Sequence, residues 1–335
     1  MTHELKQIVQ SYKEAKAKGV ATVLATVVAL EGSSYRRPGV RMLLLENGDS
    51  MGAVSGGCVE KEVFRQADSV FKTKISKVMT YDGRYRLGCE GLLYILLEVF
   101  APSDSFLEAF QNTIANRESF FIYSYFKKEH SQNKAYCSVF HFNSGPQDLQ
   151  SNDSPNKNLS VFKQEMQPCS KLILIGAEHD AVQLCAFASL MGWEVTIVAN
   201  PKEEKSISDF PGASTFINAE PETVQLVIDS QTAIVLMTHS YAKDLQYLIA
   251  LKEAKPNYFG LLGPLRRREK LFNELLEREE GVSEEFLDCI HGPAGLDIGS
   301  ETPQEIAIAV MSEILAVTNN RNPIPLKDRV GKIHL

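Results

Sequence analysis

The spacing of apolar and polar positions predicts both helices and strands in the first half of the chain. Residues 4–18 form a polar, amphipathic pattern that is typical of a surface helix, and Gly19 ends it. The apolar run at residues 21–30 predicts a buried strand. Asn47-Gly48 lies between two strand-like runs, so it predicts the turn of a β-hairpin.

Further strands and one helix continue this pattern to the middle of the chain. The strand-like runs are ISKVMTY, GLLYILLEVF, SFFIYSYF and YCSVFHF, and a helix is predicted near residues 103–116. The segment 143–159 is rich in Asn, Ser, Pro and Gln, which is typical of an exposed loop or linker. We therefore expect a mixed α/β domain over residues 1–165 and a second domain over residues 166–335.

Strands and helices alternate regularly in the second half. The strand-like runs are KLILIG, WEVTIVAN, TAIVLMTH and NYFGLLG. The predicted helices between and after them cover residues 179–192, 241–254, 265–279 and 303–317. The last helix has Thr302 as its expected N-cap, Pro303 at its first position and Glu305 completing a capping box with Thr302. This alternation predicts an α/β fold whose second domain is a Rossmann-like, doubly wound parallel sheet.

Length and composition agree with two ordinary globular domains. The chain has 335 residues, of which 44% are hydrophobic and 23% are charged. Its net charge of −7 argues against a nucleic-acid partner that is held by bulk electrostatics. No signal-peptide core or membrane-length apolar run is present, so we expect a cytoplasmic protein without a membrane partner. None of the six cysteines forms a CxxC pair, so we expect free thiols and no structural zinc site.

The turn GAEHDA, after the first strand of the second domain, departs from the dinucleotide-binding pattern GxGxxG/A. Gly176 and Ala181 match that pattern, but Glu178 replaces the middle glycine, where phosphate oxygens come closest. A carboxylate about 4 Å from a phosphate charge costs roughly 4 kcal/mol at an intermediate dielectric. The acidic residue that usually follows the second strand is replaced by Asn200, a weak substitute as a ribose ligand.

Two interpretations of this turn stay open. Either the domain has lost its dinucleotide, or it retains the binding of some nucleotide. In both cases we predict weak or absent binding of NAD(H), because of the carboxylate at the position of closest approach.

Polar residues follow two strands that we expect to be neighbours. His179 and Asp180 follow the first strand of the domain, and His239 follows TAIVLM, the candidate for the fourth strand. Ligands of such sheets bind beyond the carboxyl ends of the first and fourth strands. We therefore expect His179 and His239 to face one crevice, with structural hydrogen bonding as the alternative role of each.

Five motifs occur in a specific order, namely SGGCVE, GAEHDA, MTHS, GLLGPLRRR and GPAGLDIGSETPQEIAIAVMSEI. With them, the chain resembles the XdhC/CoxI family over nearly its whole length. This family comprises accessory factors of xanthine dehydrogenase and related molybdenum hydroxylases. The resemblance implies a chaperone rather than a catalyst, which binds molybdenum cofactor (molybdopterin), supports its sulfuration and delivers it. The implied partners are the apo-enzyme of a molybdenum hydroxylase and a cysteine desulfurase.

SGGCVE offers residues suited to such a cofactor. We expect Ser55 to be the N-cap of a helix, with Cys58 in its first turn, where the helix dipole favours a thiolate. A thiolate is a soft ligand that suits molybdenum. Gly56 and Gly57 would leave backbone amides free to face an anion. The alternative is that Cys58 is a small buried residue.

Two other segments are weaker candidates. Ser33, Ser34, Arg36 and Arg37 offer hydroxyl and guanidinium groups for a cofactor phosphate, although paired arginines are commonly just a solvated surface. Cys89 is a second candidate soft ligand, with plain packing as an equal alternative.

Two other functions compete with the chaperone, namely an NAD(P)-dependent oxidoreductase and a nucleotide-binding regulator without catalysis. The hydroxylase that is served and the form of the cofactor, bare or as its cytosine dinucleotide, stay open. So does the oligomeric state, with a homodimer as the first alternative to test.

Overall fold

The computed structural model describes residues 1–32, 37–57, 59–83, 91–149 and 158–330. The chain divides into two compact units, Met1–Cys169 and Ser170–Leu335. No helix in the described part of the chain is long and apolar enough to cross a membrane.

The first unit contains two antiparallel sheets and three helices within the described ranges. The helices are α1 (Thr2–Ala17), α2 (Glu60–Thr73) and α3 (Asp104–Ala115). The strands are β1 (Thr22–Gly32), β2 (Arg41–Leu45), β3 (Ser50–Gly52), β4 (Lys77–Asp82), β5 (Gly91–Val99), β6 (Phe120–Phe126), β7 (Ser131–Gln132), β8 (Cys137–Phe142), β9 (Gly145–Asp148) and β10 (Ser160–Met166).

The two sheets differ in strand order. The first has the order β3-β2-β1-β5-β4-β7, and the second has the order β10-β6-β8-β9. The hairpin predicted at Asn47-Gly48 is confirmed, because β2 and β3 pair antiparallel on either side of it. Strand β9 lies inside the segment interpreted as a loop or linker, and neither β9 nor β10 was predicted.

Apolar side chains cover both faces of the first sheet. On one face, a core that includes Leu24 and Leu43 packs with residues of α1, α3 and the second sheet. On the other face, Val23 and Ala25 pack with Val63 and other residues of α2. Successive side chains of β1 therefore enter two different cores, one on each face of the sheet.

Charged side chains are also buried in the first unit. Glu98, on β5, is only 1% exposed, and its carboxylate accepts hydrogen bonds from the backbone N–H (2.8 Å) and the hydroxyl (2.6 Å) of Ser138. Burial raises the pKa of Glu98 to about 7, although these bonds and the charge of Arg41 act in the opposite direction. Glu98 therefore holds a proton in the folded protein at a pH where an unfolded chain has released it.

This proton predicts a pH dependence of stability. Between the unfolded pKa of about 4.5 and the folded pKa of about 7, only the folded state keeps the proton, so acidification stabilises it. From pH 7.5 to pH 5.5 we expect Glu98 to contribute a gain of up to about 2 kcal/mol. Urea denaturation followed by circular dichroism should show this gain for the wild type relative to Glu98→Gln, a neutral variant of similar shape. Parallel pH curves for the two proteins would contradict the prediction.

The second unit has six strands and five α-helices in the part that the structure describes. The strands are β11 (Lys171–Ile175), β12 (Glu194–Ala199), β13 (Thr215–Asn218), β14 (Thr232–Leu236), β15 (Tyr258–Leu261) and β16 (Ile290–His291). The helices are α4 (His179–Leu190), α5 (Tyr241–Ala250), α6 (Leu265–Arg278), α7 (Glu284–Asp288) and α8 (Pro303–Thr318).

These strands form one parallel sheet in the order β13-β12-β11-β14-β15-β16. Numbered within the unit, this is 3-2-1-4-5-6, the order of a doubly wound Rossmann sheet. The predicted Rossmann-like fold is confirmed, and β14, the TAIVLM strand, is the fourth strand. The capping box at Thr302 and Glu305 is also confirmed. Helices α4 and α8 contribute to the core on one face of the sheet, and α5 to α7 contribute to the core on the other.

Candidate functional site

The carboxyl ends of β11 and β14 are neighbours, because these two strands pair in parallel. Gly176 directly follows β11 with φ +130°, a conformation that disfavours side chains, and a Cβ atom there would collide with the carbonyl group of Met237. Close packing against the end of β14 therefore requires this glycine. The turn is placed where Rossmann sheets bind their ligands.

Acidic side chains lie at the start of α4. Glu178 is the N-cap residue, with extended backbone (φ −81°, ψ 178°), and its side chain is exposed. His179 is exposed as well, and Asp180 lies in the first turn. A helix N-terminus favours negative charge, so these carboxylates already satisfy part of that preference. The expectation of weak NAD(H) binding stays a prediction.

His239 joins this turn to the end of β14. Its backbone is left-handed (φ +55°), which is uncommon for a residue other than glycine and is often found at ligand sites. Its Nε2 atom lies 3.7 Å from Oδ2 of Asp180. The structure thus brings His239 next to Asp180, whereas the crevice that His239 is expected to share with His179 stays a prediction.

A small cavity of about 240 Å³ lies beyond β14 and β15. Its lining includes His239 but not His179, and the lining residues are Met237, His239, Asp244, Leu262, Gly263, Pro264 and Arg267. The cavity therefore combines an apolar wall with an imidazole and a guanidinium group. Two larger cavities in the described part of the chain, one lined by residues that include Tyr241 and Glu274 and one by residues that include Ser105 and Asn143, contain none of the predicted site residues.

A buried carboxylate holds the guanidinium group of this cavity. Asp244, whose side chain is 2% exposed, accepts hydrogen bonds from Nη2 (2.6 Å) and Nε (3.2 Å) of Arg267. Its other oxygen accepts a bond from the hydroxyl of Thr238 (2.6 Å). Both oxygens are thus hydrogen-bonded, so Asp244 orients Arg267 and Thr238.

Asn200, at the end of β12, is buried, and both ends of its amide are hydrogen-bonded within the unit. Its Nδ2 donates to Oε2 of Glu220 (2.8 Å), and its Oδ1 accepts a bond from the backbone N–H of Lys202 (2.9 Å). The structure therefore does not support Asn200 as a ribose ligand. It instead places a carboxylate from beyond β13, that of Glu220, next to the end of β12.

The N-terminal motif differs from its prediction. Helix α2 begins at Glu60 with Val59 as its N-cap, so the N-cap role predicted for Ser55 is wrong. The carboxylate of Glu60 accepts bonds from the backbone N–H (2.8 Å) and the hydroxyl (2.7 Å) of Ser55. The hydroxyl of Ser55 also accepts a bond from the backbone N–H of Gly57 (3.2 Å). The amides of Ser55 and Gly57 are thus engaged within the turn.

This turn is nevertheless open to solvent. Gly56 and Gly57 are exposed, and a Cβ atom on either would have no neighbour within 4 Å. Burial alone would raise the pKa of Glu60, but hydrogen bonds from Ser55 and from nearby backbone N–H groups lower it. Glu60 therefore stays ionised at neutral pH and keeps its hydrogen bonds to Ser55.

Several predicted site residues lie outside the described residues, namely Ser33, Ser34, Arg36, Cys58 and Cys89. Arg37 is described and is exposed. Among the described residues, no group of three or more His, Cys, Asp or Glu side chains could hold a metal ion.

Sequence reasoning missed Asp244, Arg267 and Glu220. Asp244 and Arg267 are 23 residues apart, and Glu220 is 20 residues from Asn200, so no local spacing rule links either pair. The only signal was indirect, because Arg267 lies within the segment GLLGPLRRR.

Two family models match the chain. The model of the XdhC Rossmann domain matches residues 172–314, and the model of the XdhC and CoxI family matches residues 15–82.

Similar proteins match nearly the whole chain. A probable xanthine dehydrogenase subunit from Bacillus subtilis is 30% identical over 316 residues, which is 88% of this chain and 92% of that protein. The molybdenum cofactor insertion chaperone PaoD of Escherichia coli is 24% identical over 95% of this chain and 90% of its own. A crystal structure of a xanthine dehydrogenase from Bacillus halodurans has the same fold, with a TM-score of 0.77, 24% identity and coverage of 94% and 96%. The chain therefore belongs to the XdhC/CoxI family.

Proposed function

We propose that this protein is an accessory factor that binds molybdenum cofactor, supports its sulfuration and delivers it to a molybdenum hydroxylase of the xanthine dehydrogenase type. The observation that carries the proposal is the similarity to an insertion chaperone over 95% of the chain, which includes both units. In this proposal the protein acts in the cytoplasm, with a cysteine desulfurase and the apo-hydroxylase as partners.

The proposed cofactor contacts lie in both units. Cys58 supplies a thiolate to the molybdenum end of the cofactor, because a thiolate is a soft ligand that suits molybdenum. Arg36 and Arg37 hold the phosphate group, since guanidinium forks suit it. In the Rossmann unit, His239 and Asp180 are the proposed ligand residues, next to the cavity that Arg267 lines.

The contact with Cys58 predicts a specific loss. Cys58→Ser replaces soft sulfur with hard oxygen, so we expect roughly tenfold weaker retention of cofactor, equivalent to about 1.4 kcal/mol. The measurement is released pterin per mole of folded protein, after purification from cells that make the cofactor.

The matched control is Cys185→Ser. Cys185 is fully buried, and burial raises the pKa of its thiol to about 11, so it offers no thiolate at neutral pH. This variant is expected to lose stability but to retain cofactor normally per folded molecule. Equal retention by the wild type and Cys58→Ser would remove Cys58 from the proposed site.

Delivery needs its own experiment. Mixing the loaded protein with apo-xanthine dehydrogenase should restore hydroxylase activity, whereas cofactor-free protein should not. No bound pterin, together with steady oxidation of NAD(P)H by the pure protein, would favour the oxidoreductase alternative instead.

A further inference from the structure

Three polar side chains share one face of the first sheet. Thr26 on β1 lies directly opposite Arg41 on β2, and Leu24, two residues before Thr26, lies opposite Glu98 on β5. Residues two apart along a strand point to the same side, so Thr26, Arg41 and Glu98 all point to one side. Residues of the second sheet cover that side, because its Ser138 bonds Glu98 and its Gln164 bonds Arg41.

The hydrogen bonds of Arg41 are incomplete. Arg41 is 6% exposed, and its Nη1 donates to the carbonyl of Gly39 (2.9 Å) and to Oε1 of Gln164 (2.6 Å). Its Nε and Nη2 atoms are buried and have no hydrogen-bond partner in the described part of the chain. The hydroxyl of Thr26, its neighbour across the strands, is also buried without a partner among those residues.

Glu98 does not supply the missing partner directly. Arg41 and Glu98 form no ion pair within 4.0 Å in the part of the chain that is described, although the charge of each affects the other. When Glu98 is ionised, each of its oxygens accepts one hydrogen bond from Ser138 and can accept a second. Arg41 therefore has unpaired N–H donors, whereas ionised Glu98 has oxygens that can accept further hydrogen bonds.

Burying a guanidinium group such as that of Arg41 costs free energy unless its N–H groups have hydrogen-bond partners. Burial lowers the pKa of Arg41 only to about 10, so the guanidinium stays charged at neutral pH. Unpaired N–H groups on a buried charge lose their hydration without compensation. Buried waters characteristically satisfy such groups, with two to four hydrogen bonds each, whereas apolar cavities stay dry.

We propose that a water-binding site lies in the layer between the two antiparallel sheets, on the face of the first sheet that carries Thr26, Arg41 and Glu98. Buried water in this site accepts hydrogen bonds from Arg41 and bonds the hydroxyl of Thr26. The ligand class is water, because the site offers both donors and acceptors. An anion would meet Glu98 in the same layer. The site is independent of the proposed cofactor function.

The decisive variant is Thr26→Val, which removes the hydroxyl and keeps the shape. If Thr26 bonds a buried water, the variant loses that bond, and we expect the Tm of the first unit to fall by about 2–4 °C. If the layer is dry, the variant removes an unsatisfied buried hydroxyl, and the Tm rises. The sign of the change in Tm therefore distinguishes a hydrated layer from a dry one.

Thr22→Val is the matched control. Thr22 lies on the same strand, is also buried, and donates its hydroxyl to the carbonyl of Phe100 (2.6 Å), so its loss must lower the Tm. A crystal structure of the unaltered protein gives an independent reading. We expect solvent density within hydrogen-bond distance of Nη2 of Arg41 and the hydroxyl of Thr26. A rise in the Tm of Thr26→Val, or the absence of that density at high resolution, overturns the proposal.

Discussion

Arg267→Met is expected to destabilise the second unit by about 3–5 kcal/mol, because it leaves the buried carboxylate of Asp244 without its cation. Thr238 bonds the other oxygen of Asp244 but carries no charge, so it does not compensate. The experiment is urea denaturation followed by the fluorescence of Trp193, the single tryptophan of the chain, which lies in this unit.

Two further variants show whether the lost charge pair is the cause. Arg266→Met changes an exposed arginine of the same helix, so its effect should stay within about 0.5 kcal/mol. Adding Asp244→Asn to Arg267→Met removes the stranded charge and should recover part of the lost stability. If Arg267→Met proves as stable as Arg266→Met, Asp244 does not depend on the ion pair.

Glu313→Leu is expected to cost about 2–5 kcal/mol, because Glu313 satisfies several groups at once. Its Oε2 accepts hydrogen bonds from the hydroxyl of Tyr258 (2.6 Å) and the backbone N–H of Gly295 (2.8 Å). Its Oε1 lies 3.2 Å from Nδ1 of His291. Each donor stranded in the interior costs about 1–3 kcal/mol, and Tyr258 is only 1% exposed.

Tyr258→Phe calibrates this effect, because it removes one donor without stranding another and should cost only about 1 kcal/mol. Burial alone would raise the pKa of Glu313, but bonds from His291, Tyr258 and Gly295 lower it. This stabilisation is thus present above the unfolded pKa of about 4.5 and is lost as the pH falls through the folded pKa. Trp193 fluorescence in urea measures the stability of both variants. Equal losses of stability in Glu313→Leu and Tyr258→Phe would mean that the bonds from Gly295 and His291 to Glu313 do not stabilise the protein.

The strands that were readable from the sequence are those with apolar residues on both faces. All of Thr232–Leu236 is buried, so its apolar run gave a clear signal. Thr215–Asn218 alternates little and contains no fully buried residue, and Ile290–His291 is too short to form a pattern. Ser160–Met166 is mostly polar and exposed, because only one of its faces packs on the core.

The candidate site could be predicted from the sequence only where a local motif marks its residues. Gly176 and Asp180 belong to a recognisable turn, and their placement followed from the strand order. The bond between Asp244 and Arg267 depends on the approach of α5 and α6, which the sequence does not encode locally. Ser55 shows the opposite failure, because a local capping rule placed the helix start at Ser55, whereas α2 begins at Glu60 with Val59 as its N-cap.

The outermost strands also bear on how the molecule avoids association through its sheet edges. Unpaired backbone groups at an edge can recruit a strand from another chain, and long, flat edges are the most prone to this. In the described sheets, the outer strands β3, β7, β13 and β16 have only two to four residues, and β9 contains Pro146. The longer β10 carries Lys163, whose Nζ lies 4.2 Å from the ring centre of Phe121. Its charge disfavours an incoming strand, so amyloid-like stacking is opposed along the edge that is otherwise most exposed to it.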